Sequence, residues 1–176
     1  MKLDLIEPIK LFKPSGTIEW QQDFAQIPFG YIQDDKLKVI FATRRKPDKN
    51  GNFCSFPAEA VFDFQNFSLI SLSEQPLLGL GGEGTFDEFG VMPGSIIKLN
   101  TGEEVMYYCG WSRSFPTPYR WSIGIAYKNR GGLFERRYLG PIIGQSVDHP
   151  LLTASPVVLP KKDNGYEMFH LSGISL

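Results

Sequence analysis

An internal repeat of about 65 residues limits what this chain can fold into more than any other feature. Ala25-Gln26-Ile27-Pro28, Gly90-Val91-Met92-Pro93 and Thr153-Ala154-Ser155-Pro156 align, with their prolines 65 and 63 residues apart. Each segment leads into an apolar strand, a polar turn and a second, aromatic-rich strand. The turns are Gln33-Asp34-Asp35-Lys36, Asn100-Thr101-Gly102-Glu103 and Lys162-Asp163-Asn164-Gly165. Asn, Asp and Gly tolerate the left-handed backbone of tight hairpins, so each pair is expected to form a hairpin. Gln75-Pro76-Leu77-Leu78-Gly79 and Gly140-Pro141-Ile142-Ile143-Gly144 repeat at the same period. Between these anchors, third strands are expected at Ala58–Asp63 and Ser122–Tyr127, and fourth strands at Phe67–Ser71 and Leu133–Arg137.

A repeat this long means one supersecondary unit copied in series. Four antiparallel strands per copy describe a β-propeller blade. A β-sandwich would show turns every 8–12 residues but no copy at this spacing. Composition agrees with an all-β chain: 18 Gly and 13 Pro punctuate short apolar runs, and no long stretch has helical period. The expectation is about two and a half blades. Blade 1 spans about 20–80, blade 2 about 85–145, and the first hairpin of blade 3 about 148–176. Propellers close with four to eight blades. The chain is therefore expected to continue in a longer protein or to close against another chain or oligomeric copy.

Charge and motif content exclude several functions. Lys and Arg number 18 and Asp and Glu 19, for a net charge of −1, which argues against a nucleic-acid partner. No apolar run is long enough to cross a membrane, so no membrane partner is expected. The acids in Met1-Lys2-Leu3-Asp4-Leu5-Ile6-Glu7-Pro8 interrupt any secretory leader, so a cytoplasmic location is expected. Cys54 and Cys109 lie in apolar stretches and are expected to be reduced and packed. With only His149 and His170 besides, the ligands for a metal site are lacking, and neither metal nor other cofactor is expected. Gly79 through Gly84 is glycine-rich, but no helix follows to make a phosphate cradle.

Several segments carry a resemblance. Gly84-Thr85-Phe86-Asp87-Glu88-Phe89-Gly90-Val91-Met92-Pro93-Gly94-Ser95 is the longest. Tyr107-Tyr108-Cys109-Gly110-Trp111 follows, with Pro118-Tyr119 and Ile123-Gly124-Ile125-Ala126 behind it. Ala25-Gln26-Ile27-Pro28 and Ala154-Ser155-Pro156 complete the set. The chain resembles predicted glycosidases related to glycoside hydrolase families 43 and 32, which are five-bladed propellers, and it matches their N-terminal half. Two departures stand out. The histidine those proteins carry before Ala-Gln is Phe24 here, and their Asp-Pro is interrupted as Asp148-His149-Pro150.

The resemblance implies sugar chemistry, and the residues allow it. An acid precedes each proline anchor: Asp23, Asp87 and Asp148. Glycoside hydrolysis commonly uses two carboxyl groups flanking the scissile bond. Asp87 and Asp148 are the candidate catalytic pair, with an orienting role for one of them as the alternative to reacting; a general acid is expected beyond Leu176. A carbohydrate ligand also needs aromatic platforms and hydrogen-bond partners. Trp111, Tyr119, Gln26 and Arg44 lie at or just after the inner strands and are the candidate binding residues. Each has a plainer rival: a turn for the aspartates, core packing for the aromatics, and the surface for Arg44. The runs Arg44-Arg45-Lys46 and Arg136-Arg137 are expected to be solvated loops. Alternatives to an enzyme are a non-catalytic carbohydrate-binding or scaffold module on the same fold, and an inactive fragment.

Overall fold

The computed structural model describes residues 7–114 and 119–174. The acid-bearing start through Ile6, Pro118, Ser175 and Leu176 lie outside the described residues. The protein is all-β, with mostly antiparallel pairing. No helix among the described residues is long and apolar enough to cross a membrane. The strands are β1 (Asp23–Gln33), β2 (Lys36–Arg44), β3 (Ser55–Asp63), β4 (Leu69–Leu72), β5 (Gly90–Lys98), β6 (Glu104–Ser112), β7 (Arg120–Lys128), β8 (Phe134–Glu135), β9 (Leu152–Pro160) and β10 (Tyr166–Gly173).

Strands β1 to β4 pair in sequence order, each antiparallel to the next, and β5 to β8 repeat the arrangement. One parallel bridge, Ser55 to Gly90, joins the two units, and β9–β10 form a separate hairpin. The turns explain the hairpins. Asp34 and Asp35 both have positive φ, 51° and 56°, as a two-residue mirror-type turn requires. Gly102 and Asn164 take the left-handed position in the other two. Asn129 closes β7–β8 by accepting from the amides of Gly131 at 2.9 Å and Leu133 at 3.1 Å. The expected Leu133–Arg137 strand is trimmed to Phe134–Glu135; Arg136 lies just past the ladder and binds the Asp87 carboxylate.

The proline anchors carry a recurrence in three dimensions. Each lies in the first strand of its unit, at a break in the ladder: around Ile27-Pro28 in β1, Pro93-Gly94 in β5 and Ser155-Pro156 in β9. Proline has no N–H to donate, and in β1 and β9 a bulge with one extra residue takes it out of the pairing, whereas in β5 Pro93 stays opposite Tyr108 and Gly94 is the extra residue. Ile27 and Ser155 hold positive φ at equivalent places, 50° and 52°. The three bulged strands are neighbours, with β5 touching both β1 and β9. The backbone amide of Val158 donates to the Ser95 hydroxyl at 3.0 Å.

Successive side chains on a strand point to opposite faces, so the buried strands feed different core clusters. Ile40 packs with Leu77, Leu78, Val91, Met106 and Tyr108, whereas its neighbour Phe41 packs with Ala58, Ala60 and Phe62. A third cluster gathers Ala42, Met92, Cys109, Trp111 and Ala154, with Phe89, Trp121 and Leu152 against it. It draws residues from β2, β5, β6 and β9, and it forms the floor of the site described next.

Candidate functional site

Two adjoining pockets open beside this third cluster. One, of about 270 Å³, is lined by Arg44, Phe53, Trp111, Arg113 and Tyr119, among others. The second, of about 230 Å³, is lined by Gln26, Ile27, Arg44, Met92, Trp111, Tyr119 and Trp121. Arg44, Trp111 and Tyr119 are shared. All four residues expected to bind a ligand, Gln26, Arg44, Trp111 and Tyr119, therefore lie on one continuous wall. Arg44 arrives at the end of β2, Trp111 near the end of β6, and Gln26 beside the bulge of β1.

Aromatic packing sets the wall. Trp111 is 4% exposed and Tyr119 is 54% exposed. Their rings meet edge-to-face with centroids 5.7 Å apart, and Tyr119 lies 6.2 Å from Trp121. Gly90 lets Trp111 sit where it does: a Cβ at position 90 would fall 1.6 Å from the indole Nε1. Trp111 is thus both core and wall, with Tyr119 offering the free surface.

The polar groups of the wall are short of partners. The Arg44 guanidinium is held between the rings of Phe24 and Phe53, at 5.0 and 5.2 Å. That arrangement is a favourable cation–π geometry. Yet Arg44 Nε, a donor, and Gln26 Oε1, an acceptor, are buried without a hydrogen-bond partner. Buried polar atoms in folded proteins are nearly always satisfied. The wall thus carries an unpaired donor and an unpaired acceptor behind its aromatic rings.

The aspartates are placed differently from one another. Asp87 is 0% exposed. Its Oδ2 accepts from the Tyr108 hydroxyl at 2.8 Å and from Arg136 Nε at 2.7 Å. The Thr85 hydroxyl lies 3.1 Å from its Oδ1. Arg136 also donates to the Gly79 carbonyl at 2.8 Å. Burial, and then the Asp87 charge, push the Tyr108 phenol well above its ordinary range, so it stays a donor. Asp148 is exposed in a turn where its amide donates to the Ser146 hydroxyl at 3.2 Å, four residues before β9. Asp23 is exposed at the start of β1. Neither Asp87 nor Asp148 lines the two pockets above.

Three contributors, Phe53, Arg113 and Trp121, carry no local sign in the sequence, and Phe24 stands out there only as a departure from a motif histidine. Arg136 is expected in a solvated run, whereas its side chain is 13% exposed and pairs with Asp87. A guanidinium adjacent in sequence to Arg137 gives no local sign of a carboxylate 49 residues away.

Comparison with known proteins places this geometry. No family model matches the chain. It is 27% identical over 168 residues to two Mycobacterium tuberculosis proteins, the uncharacterized proteins MT1551 and Rv1502. The match covers 94% of this chain and 54% of theirs, so the chain spans about half the length of the curated relatives it matches. Among solved structures it is similar to a glycosyl hydrolase from Bacteroides ovatus, at a TM-score of 0.65 and 16% identity. That match covers 91% of this chain and 50% of the other. It is also similar to a structure described by the statement that the GH130 family of mannoside phosphorylases contains glycoside hydrolases targeting β-1,2 mannosidic linkages in Candida mannan. There the TM-score is 0.62 at 15% identity, over 84% of this chain and 44% of that one. The chain shares the fold of glycoside hydrolases over about half of their length.

Proposed function

We propose that this chain forms part of a glycosidase-like, carbohydrate-active protein, and that the wall of Gln26, Arg44, Trp111 and Tyr119 holds a saccharide. The observation that carries the proposal is the unpaired donor and acceptor, Arg44 Nε and Gln26 Oε1, on a wall shared with Trp111 and Tyr119. A sugar ring has CH faces to lie on an aromatic surface and hydroxyls to meet both open groups. The glycoside hydrolase neighbours and the resemblance to families 43 and 32 support it.

In this proposal the two four-stranded units are blades of a five-bladed propeller, the bulged strands β1, β5 and β9 lie innermost, and a longer polypeptide or a second chain completes the ring. Asp87 acts as a positioning residue. Its bonds to Tyr108 and Arg136 brace the strand that delivers Trp111. Asp148, exposed on the loop entering β9, is the solvent-facing carboxylate available to a reacting bond. A glycosidic bond broken by paired carboxyl groups needs a second acid, which the remainder of the protein would supply.

The burial of Asp87 under Arg136 favours one other reading, a carbohydrate-binding module without catalysis. Titration of neutral oligosaccharides, followed by tryptophan fluorescence, tests the shared core of both. Quenching or enhancement that weakens at least about tenfold in Tyr119→Ala supports the site, a loss of about 1.4 kcal/mol. No response across gluco-, galacto- and manno-oligosaccharides contradicts it. Hydrolysis by the longer protein, lost in Asp148→Asn with binding retained, separates the enzyme from the module.

A further inference from the structure

The pocket that holds Trp111 and Tyr119 is charged as well as aromatic. Arg44 and Arg113 both line it, and both converge on Phe53. Arg44 Cζ lies 5.2 Å from the Phe53 ring, and Arg113 donates through a terminal nitrogen to the Phe53 carbonyl at 2.9 Å. Arg113 is stacked over Phe89 at 4.0 Å and lies 5.7 Å from the Trp111 ring. Aromatic faces thus fix both guanidiniums in orientation.

Among the described residues, neither guanidinium has a carboxylate within ion-pairing distance. Asp23 lies opposite Arg44 in the β1–β2 register but is exposed and makes no ion pair with it, and Asp48, whose carboxyl is lowered in part by the Arg113 charge, has its oxygens hydrogen-bonded within its own turn. Asp48 accepts from the amides of Asn50 and Asn52 at 2.9 Å and from the Asn52 side chain at 3.2 Å. The other residues lining this pocket, Gly51, Asn52, Ser114 and Tyr119, carry no negative charge. Two oriented, uncompensated guanidiniums in one concave site are a receptor for an anion, since the fork of arginine matches planar carboxylates and tetrahedral oxyanions with paired hydrogen bonds.

Taking the saccharide site as its premise, we infer that the preferred ligand is an acidic saccharide, its sugar ring against Trp111 and Tyr119 and its anionic group between Arg44 and Arg113. The ring supplies the apolar contact, and the anion supplies the charge that the pocket lacks. A neutral sugar would leave both guanidiniums without a counter-charge.

The test titrates the 176-residue chain with matched pairs: glucuronate against glucose, galacturonate against galactose, and oligomers of each. Sugar 6-sulfates form a third arm, distinguishing a carboxylate from an ester oxyanion. Tryptophan fluorescence is the readout, at low and at 0.5 M salt. The inference expects the acidic member of a pair to bind at least tenfold more tightly. That advantage, read as the ratio of acidic to neutral affinity within each protein, should shrink in high salt and fall to within twofold in Arg113→Gln. Arg113→Lys, which keeps the charge and loses the fork, retains part of the advantage. A circular dichroism melt establishes that each variant is folded, and Arg44→Lys gives an independent route should Arg113→Gln not fold. Equal or tighter binding of the neutral sugars overturns the acidic preference and leaves the saccharide site standing. An acidic preference unchanged in Arg113→Gln and in Arg44→Lys overturns the assignment to these residues. No binding by any member overturns the saccharide site, and this inference with it.

Discussion

The hydroxyl of Tyr108 donates to Oδ2 of Asp87 across 2.8 Å, deep beneath a strand whose far end carries Trp111. The contact joins residues 21 positions apart, and Arg136 completes it from β8's end at 2.7 Å. A charged pair at this depth is held by geometry, and breaking it has consequences that can be measured.

Removing one partner of a buried ion pair leaves an uncompensated charge, which costs about 3–5 kcal/mol. Arg136→Met should therefore destabilise the chain by roughly that amount in urea unfolding. Replacing both, as Asp87→Leu with Arg136→Met, should recover much of the loss, because no charge stays buried. A single variant as stable as the parent would show that the pair is not buried as described.

Tyr108 gives the chain an alkaline limit. Its phenol titrates above the ordinary 10.0 because of burial and the Asp87 charge. A raised folded-state value stabilises the fold fully below about pH 10. That contribution is lost as pH climbs from there towards the folded value, since the unfolded phenol ionises first. Tyr31, raised by burial and Glu59, adds to the same loss. Tyr108→Phe leaves the Asp87 oxygen one donor short and should cost about 1–3 kcal/mol at pH 7. Its deficit against the parent should narrow above pH 10 in equilibrium unfolding. A constant deficit from pH 7 to 11 would contradict the shift.

Both thiols are buried, and burial pushes Cys109 up to about 12. The thiolate is the reactive form. A chromogenic disulfide reagent at pH 8 should find no rapidly reacting thiol in the native chain and two in denaturant. Fast native reaction at Cys109 would show that the cluster around Trp111 opens readily.

Strand and turn positions were legible from sequence because their causes are local. Asp34-Asp35, Gly102 and Asn164 sit in left-handed conformations that their side chains tolerate, and each turn falls where the sequence puts it. The proline anchors marked the first strand of each unit, though not the bulge at or beside each one, which shows only in the partner strand's register. The gathering of Gln26, Arg44, Trp111 and Tyr119 followed from their places at or just after those strands. Depth was not legible. Asp87 is buried because Gly81 and Gly110 make room for it: a Cβ at either would come within 2.0 or 2.5 Å of Asp87 atoms. Its partner Arg136 looked like half of a solvated charge run because the contact is made only by tertiary packing.

Gly90→Ala probes the wall from behind. The added methyl would meet the Trp111 indole at 1.6 Å, so the ring must move. Saccharide binding should weaken roughly tenfold or more, a loss of about 1.4 kcal/mol or greater. Gly82→Ala, where nothing lies within 4 Å, should bind as the parent does. Equal binding by the two variants would remove Trp111 from the site.

The proposed saccharide site on the wall of Gln26, Arg44, Trp111 and Tyr119 is tested most directly by a crystal structure of the chain grown with an oligosaccharide. The predicted result is a sugar ring against Tyr119 and Trp111, with one hydroxyl donating to Gln26 Oε1 and another accepting from Arg44 Nε. A saccharide ordered elsewhere on the molecule, with these two atoms still unpaired, would contradict it.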